Sequence, residues 1–480
     1  MTLNTSNPSH QVPGTLFGRA LEYLSLFCAV ILLLVWPIEG TIAARNIALV
    51  LGCLTSLLWI CIYKQQLKLL AYLPQLCLLA VPLWLWIHYF FLPTDTAAQL
   101  YDLQGTWVRV ILGVVMATGL GLMISSRMRY QFWLWAAMIT LVIAALGMYL
   151  NDVLTAGQLL VPGFRAMFKY KSAVVYFLMW PCMLAYALLH LKLIEIHEDK
   201  PLGWLGVGSI FVLLGSCWAL FIAAQALNGV LIAAFMGAAL IVLFLKFSFV
   251  NRKISDRRKW FLFLTFLILL ASALITFWNY DKKHEQKLTN LIGDARIASQ
   301  IDKHNAWQRD PSVIQPFTPT NELGRPINGS TYERVAWFSK GVQLLAAYPE
   351  GAGFSHRAFR YFMHQENPRF DVNHTHSGWL DFALGVGVPG LILTWIAIAL
   401  VVRRAAFNIA DKHAIQKRKI ALITVWMLCG IWFLWWPTEV SEREFIEYFY
   451  FMIAFFAAVN YTNQHKRPEP DEGRLNLKAY

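Results

Sequence analysis

Residues 106–126 read TWVRVILGVVMATGLGLMISS, 21 positions carrying a single charge, Arg109. About 20 apolar residues in a helix, rising about 1.5 Å each, match the roughly 30 Å hydrocarbon core of a bilayer. Runs of this kind recur near 20–38, 46–63, 70–92, 106–126, 130–149, 173–192, 203–222, 226–248, 260–278, 378–402, 419–437 and 445–462. Composition agrees with them: of 480 residues 58% are hydrophobic and only 14% charged, with mean hydropathy +0.49. A soluble domain carries roughly a quarter charged residues. Disorder, collagen and a disulfide-rich secreted fold are excluded. The chain reads as an all-α polytopic membrane protein with about 12 transmembrane helices.

A net charge of +13 suggests nucleic acid in a soluble protein, but here it follows from where lysine and arginine sit relative to the bilayer. With an internal N-terminus, the cytoplasmic segments hold 23 basic residues and the short external loops five (Arg45, Arg165, Lys169, Lys171 and Arg443). The expected topology is N-in and C-in, with membrane lipids as surroundings and no nucleic-acid partner. The N-terminal stretch lacks the basic region of a cleavable signal, so the first run is expected to stay as a span. The expected division is 1–278 for helices 1–9 with short loops, 279–377 for a large loop between helices 9 and 10, 378–462 for helices 10–12, and 463–480 for a cytoplasmic tail. All seven cysteines fall within apolar runs, which indicates neither a disulfide framework nor a thiolate metal site.

Two segments stand out. The first is the loop 279–377; polar insertions of this size in a bundle of short loops usually carry function. Inside it, 331–348 (TYERVAWFSKGVQLLAAY) has helical spacing, with Val335, Phe338, Val342 and Leu345 on one side, and Pro349 to Gly353 stop it. The region 356–376 then gathers His356, Arg357, Arg360, His364, Arg369, His374 and His376 just before the tenth run. The second is the external turn 150–172, where Arg165, Lys169 and Lys171 cluster against the charge rule.

Three readings stand for His374-Thr375-His376: interfacial histidines, a metal set completed by Asp371 or His364, or a general base at the water–lipid boundary. Downstream, Gly385, Gly387, Pro389 and Gly390 loosen or break the outer half of the tenth helix, or let a neighbour pack closely. Three cations within seven residues at 165–171 point to an anionic ligand, because guanidinium forks suit phosphate oxygens and lysine adds point charge. Arg334 lies on the loop helix, where a solvated face is the ordinary role. Arg109, within an apolar run, is a functional candidate by position and is also close enough to the boundary to reach the headgroups. No nucleotide loop, dinucleotide fingerprint, metalloprotease pair, serine elbow or external acidic pair is present.

The stretch HSGWLDFALGVGVPG (376–390) fits a pattern of His, then Ser, Asn or Gln, nine residues, then Gly-x-x-Gly, with His376, Ser377, Gly387 and Gly390 in register. With the topology, the large loop before helix ten, Arg334 with Trp337, PEGAGFSHRAF (349–359) and GFRAMFKYKSAVVYFL (163–178), the chain resembles the bacterial O-antigen ligases. That superfamily also holds O-antigen polymerases and protein O-oligosaccharyltransferases. Two departures are visible: Leu227-Asn228-Gly229 stands where relatives often have Ser-Arg-Gly, and Phe168-Lys169-Tyr170-Lys171 replaces an element resembling Gly-Asn-Pro-Asn.

The resemblance implies a membrane glycosyltransferase (GT-C-like) bundle in the bacterial inner membrane, its active site facing the periplasm. It implies an inverting, metal-independent transferase without a cofactor, moving a glycan from undecaprenyl diphosphate to a sugar hydroxyl of lipid A–core in lipopolysaccharide biosynthesis. His376 is the catalytic base it implies. Arg165, Lys169, Lys171 and Arg334 are the diphosphate ligands, with His374, Arg357 and Arg109 as secondary candidates. The alternatives are a polymerase, a protein glycosyltransferase, and a non-enzymatic lipid-glycan flippase. A flippase lines its path with polar groups near the midplane.

Overall fold

The computed structural model describes residues 16–62, 69–157, 167–168, 171–197, 208–209, 211–213, 216, 260, 264, 287–304, 306–308, 320–321, 324–327, 329–411, 415–438 and 443–461. The expected spans 203–222, 226–248 and 260–278 fall almost wholly outside the described residues, as do Arg165, Lys169 and Asn228. The described chain is helical. Its helices are α1 (Leu16–Val35), α2 (Ile42–Ile62), α3 (Leu73–Phe91), α4 (Thr96–Asp102), α5 (Val108–Ser126), α6 (Gln131–Ala156) and α7 (Lys171–His197). Then come α8 (Lys287–Ser299), α9 (Gly329–Ala347), α10 (Ala358–Glu366), α11 (Gly378–Ala410), α12 (Ile415–Leu434) and α13 (Arg443–Val459).

Among the described residues, seven segments are long and apolar enough to cross a membrane, as a helical membrane protein requires: α1, α2, α3, Thr96–Ser125, α6, most of α7, and α11. Thr96–Ser125 is α4 and α5 joined through a π-helical turn at Leu103–Trp107. Asp95 caps its start by accepting from the Ala98 amide at 3.0 Å. The expected runs 419–437 and 445–462 correspond to α12 and α13.

The bundle is built around α13, which is buried at every position from Phe445 to Val459. Small residues on α5 let its neighbours close in: a Cβ on Gly121 would lie 2.6 Å from the Ala458 Cβ, and one on Gly119 2.5 Å from the Ser56 Cβ. Contacts across the bundle bring one set of helix ends together. Trp36 Nε1, just past α1, donates to Glu447 Oε2 at 3.3 Å; Tyr176 of α7 donates to the Phe445 carbonyl at 2.6 Å; the Gly378 amide donates to the Trp435 carbonyl at 2.9 Å. The end of α1 and the starts of α2, α7, α11 and α13 therefore share one end of the bundle.

At that end, α8 to α10 form a second apolar cluster with Trp307, Phe354 and Phe370, closed below by Leu380 and Leu384 of α11. The loop helix expected at 331–348 is α9, but its buried face differs from the expected one. Tyr332, Ala336, Trp337 and Leu344 are buried, whereas Phe338 and Val342 are 38% and 47% exposed. Helical spacing offers more than one apolar stripe, and close packing at Gly341 selects among them: a Cβ there would lie 2.7 Å from Thr375 Cγ2 and 2.8 Å from Leu380 Cδ2.

The expected interruption of the tenth run is present in α11. Gly387 leaves helical backbone (φ 76°, ψ 171°), and the turn Pro349–Gly353 enters the gap. The Ala352 and Gly353 amides donate to the Leu384 and Gly385 carbonyls at 2.8 and 2.9 Å, and the Val388 amide donates to the Pro349 carbonyl at 2.7 Å. A Cβ on Gly387 would lie 2.1 Å from the Glu350 carbonyl oxygen, and one on Gly351 2.4 Å from the Gly387 nitrogen. Gly387→Ala and Gly351→Ala are each expected to lose at least about 1–2 kcal/mol from left-handed backbone strain alone, before the clash. Gly147→Ala, in helical α6 with open space around its Cβ, should be neutral or stabilising. Thermal unfolding of the detergent-purified variants checks this, and equal midpoints for Gly387→Ala and Gly147→Ala would contradict the wedge.

Candidate functional site

The segment His374-Thr375-His376 forms a strap leading into α11, and three sets of contacts hold it. Asp381, in the first turn of α11, accepts from the Thr375 amide at 2.7 Å and from its hydroxyl at 2.8 Å through Oδ1. The Thr375 hydroxyl oxygen in turn accepts from the Ser377 amide at 3.2 Å. A carboxylate near a helix N-terminus is also favoured by the helix dipole. Held in this way, His376 takes a left-handed backbone conformation (φ 61°), one of two described non-glycine residues that do so. The other is Arg357, at the start of α10 (φ 63°). Such residues cost of order 1–3 kcal/mol and cluster at functional sites.

The ring of His376 stacks on Trp337 of α9, with centroids 5.3 Å apart and planes inclined by 24°. Trp337 is itself fixed, donating through Nε1 to the Trp307 carbonyl at 2.9 Å. Arg334 sits three residues before Trp337, hence on a neighbouring patch of the same helix surface, and is half-buried. The structure thus places Arg334 and His376 in one neighbourhood. His374 is half-buried two residues earlier on the strap, and Arg357 is exposed on the adjoining segment.

Below the strap, buried polar groups clamp the 349–355 turn. Asp102 Oδ2 accepts from the Ser355 amide and hydroxyl, both at 2.8 Å, and from Trp107 Nε1 at 3.1 Å, while Oδ1 accepts from Thr106 at 2.7 Å. His88, fully buried, lies 3.1 Å from the Gly351 carbonyl through Nε2, and its Nδ1 accepts from Gln99 Nε2 at 2.9 Å. Trp84 Nε1 donates to the Val386 carbonyl at 2.8 Å.

Arg109 and Lys171 lie on other elements, α5 and α7. Arg109 pairs through Nε with the buried carboxylate of Glu447. Lys171 is the first residue of α7, and Phe168 bridges to Ile38. The described ends of the cationic stretch therefore flank the α1–α2 turn at the same end of the bundle. His364 Nε2 lies 2.6 Å from the Phe370 carbonyl and 3.1 Å from Arg360 Nε, and Asp371 pairs with Arg360 at 3.0 Å, so both are engaged with Arg360 rather than with His374 and His376. Among the described residues no three His, Cys, Asp or Glu side chains converge.

Sequence reasoning passed over Asp381, Asp102 and His88. Each is an ionisable residue in an apolar stretch, and that rule, applied to Arg109, would have found them. Thr375→Val and Asp381→Ala should speed hydrogen exchange of the strap, since a hydrogen bond to a charged group is worth about 1.5–3 kcal/mol. About tenfold faster exchange at Thr375 in Asp381→Ala is the expected result, and an unchanged rate would remove Asp381 from this role. Compared with known proteins, the chain matches no family model and no curated protein.

Proposed function

We propose that this chain is a metal-independent, inverting membrane glycosyltransferase of the O-antigen ligase type, with twelve spans, both termini in the cytoplasm, and its site at the periplasmic face of the inner membrane. The observation that carries the reading is the strained His376, held by Thr375 and Asp381, with its ring against Trp337 and one helical turn from Arg334.

In this reading an acceptor sugar hydroxyl of lipid A–core approaches His376. The imidazole takes the hydroxyl proton as the oxygen attacks the anomeric carbon of the donor. The bond from that carbon to the undecaprenyl diphosphate breaks on the opposite face, which inverts the configuration. Charge grows on the departing diphosphate and is stabilised by Arg334 together with Arg165, Lys169 and Lys171. Arginine offers two parallel donors to phosphate oxygens, and lysine a compact charge. Preorganised groups of this kind cost no reorganisation when the bond breaks. A base held off its relaxed backbone conformation stays aimed without searching for its geometry.

Purified protein given undecaprenyl-diphosphate glycan and, separately, lipid A–core, a peptide, or a second lipid-linked glycan decides among the sister activities. Product with lipid A–core alone supports the ligase; product with either other acceptor alone replaces it with the protein transferase or the polymerase. No product with any acceptor favours the flippase. Under saturating donor and acceptor, His376→Ala should lose roughly 10²–10⁴-fold in turnover, while His374→Ala loses far less. If His374→Ala is the inactive variant and His376→Ala stays active, the assignment of the base is wrong. Transfer should also continue in EDTA; loss restored by added magnesium or manganese would overturn the direct role of the cations.

A further inference from the structure

Two apolar stripes run along α9, and the loop cluster uses only one of them. Tyr332, Ala336, Trp337 and Leu344 pack inward, while Phe338 and Val342 are exposed, with half-buried Val335 and Leu345 on the same side. Such spacing keeps all four on one helix surface. From Gly341 to Ala347 the helix holds no charge, and Val342, Ala346 and Ala347 are exposed there; Gln343 is the one polar side chain in the stretch. The last charge before it, Lys340, is engaged by Glu366 at 2.7 Å.

The depth of this stripe follows from α11. Arg403 is exposed and ends the apolar stretch of that helix. From Arg403 back to Val388 is about 15 residues, or about 22 Å of helix. A hydrocarbon core is about 30 Å thick, so the break at Gly387 lies inside it. The Pro349–Gly353 turn fills that break, and α9 leads directly into the turn. A Cβ on Gly341 would touch Leu380, and the Pro349 carbonyl accepts from the Val388 amide, so the second half of α9 descends beside the first half of α11. Glu350, the one ionisable group on the turn, is half-buried.

α3 gives the same level independently. His88 Nε2 lies 3.1 Å from the Gly351 carbonyl, and Ile87, Phe90 and Phe91, around and beyond that level, are 44%, 66% and 76% exposed. Large apolar side chains left uncovered at the end of a span face lipid. Lipid therefore reaches at least as far along the bundle as Gly351, and the end of α9 stands at its depth.

We propose that the second half of α9 is a re-entrant segment, and that its Phe338–Val342–Ala346 stripe is covered by phospholipid acyl chains of the leaflet at the strap end of the bundle. An amphipathic helix at a bilayer surface buries its apolar face about 5–10 Å into the boundary between headgroups and chains. Irregular backbone at such depth is tolerated only where protein encloses it, as α11 and α3 enclose the turn after α9. The same helix carries Trp337, against which His376 stacks, so lipid contact on one face sets the level of the strap on another. This inference stands whether or not the chain is a transferase.

Full-length protein carrying a photoreactive benzophenone amino acid at a single position is placed in nanodiscs of dioleoyl-phosphatidylglycerol and irradiated, and adducts are read by intact mass. Phe338 and Val342 test the stripe; Phe90 on α3 is the lipid reference, and Gln365, exposed on α10, is the water reference. At Phe338 and Val342 the expected adduct is one phospholipid. Its yield should be near that at Phe90 and at least about tenfold above that at Gln365, since removing a side chain of this kind from water favours the lipid by that factor or more. The Phe338 replacement exchanges one aromatic side chain for another, so it carries the test if the Val342 protein unfolds. A product of doubled mass would put a second copy on the stripe, a cross-link within one chain would put another segment there, and no adduct would leave the stripe in water. Each of these three results overturns the proposal.

Discussion

The geometry of the strap depends on a break in α11 that is filled by backbone from elsewhere in the chain. A helix interrupted at membrane depth exposes amides and carbonyls that lipid cannot satisfy, at several kcal/mol for each group. Here the Pro349–Gly353 turn supplies the missing partners at Leu384, Gly385 and Val388. Such an approach of backbone to backbone requires that side chains be absent on both sides. Gly351 and Gly387 face each other closely, and Gly353 packs where a Cβ would lie 2.2 Å from Gln99 Nε2. The half-helix before the break carries Asp381 at its start, and through Asp381 it sets the position of the strap.

The buried carboxylates divide the work of holding this arrangement. Asp102 gathers four donors from Ser355, Thr106 and Trp107 and ties the 349–355 turn to the start of the α5 segment. Glu447 holds Arg109 and Trp36 and so joins α13 to α5 and to the end of α1. Burying a charge is expensive, and its pairing seldom recovers more than the cost of desolvation. What such groups add is register: sliding the continuous Thr96–Ser125 segment by one residue would strand Asp102 or Arg109 without its partner. Apolar packing alone, with interchangeable aliphatic contacts, would tolerate that slip far better.

Much of the helical framework was legible in the sequence, because a bilayer demands long apolar runs and such runs are visible in one dimension. The loop helix and the glycine break were legible for the same reason: helical spacing, proline and glycine act locally. The buried face of α9 was not, because it depends on Thr375 and Leu380 meeting Gly341 from a distant part of the chain. His376 and Arg334 were legible as residues, but their connection through Trp337 is a ring contact between segments 39 positions apart. Asp381 stood inside the motif that drew attention to His376 and was still passed over, since its role lies in what it accepts from Thr375. Arg109 was flagged for its depth alone, and only the presence of Glu447 shows how that charge is tolerated.

The strain at His376 and the bonds around it can be weighed against each other. A left-handed conformation at a non-glycine residue costs of order 1–3 kcal/mol. Against it stand two hydrogen bonds from Thr375 to one carboxylate, each worth about 1.5–3 kcal/mol when the acceptor is charged. The stacked Trp337 ring adds about 0.5–1.5 kcal/mol in a geometry that aromatic pairs favour. The contacts outweigh the strain, so the strap stays in its unusual conformation, but the margin is only a few kcal/mol. A strap with so small a margin keeps the His376 ring against Trp337, yet new contacts of comparable strength would be enough to shift it.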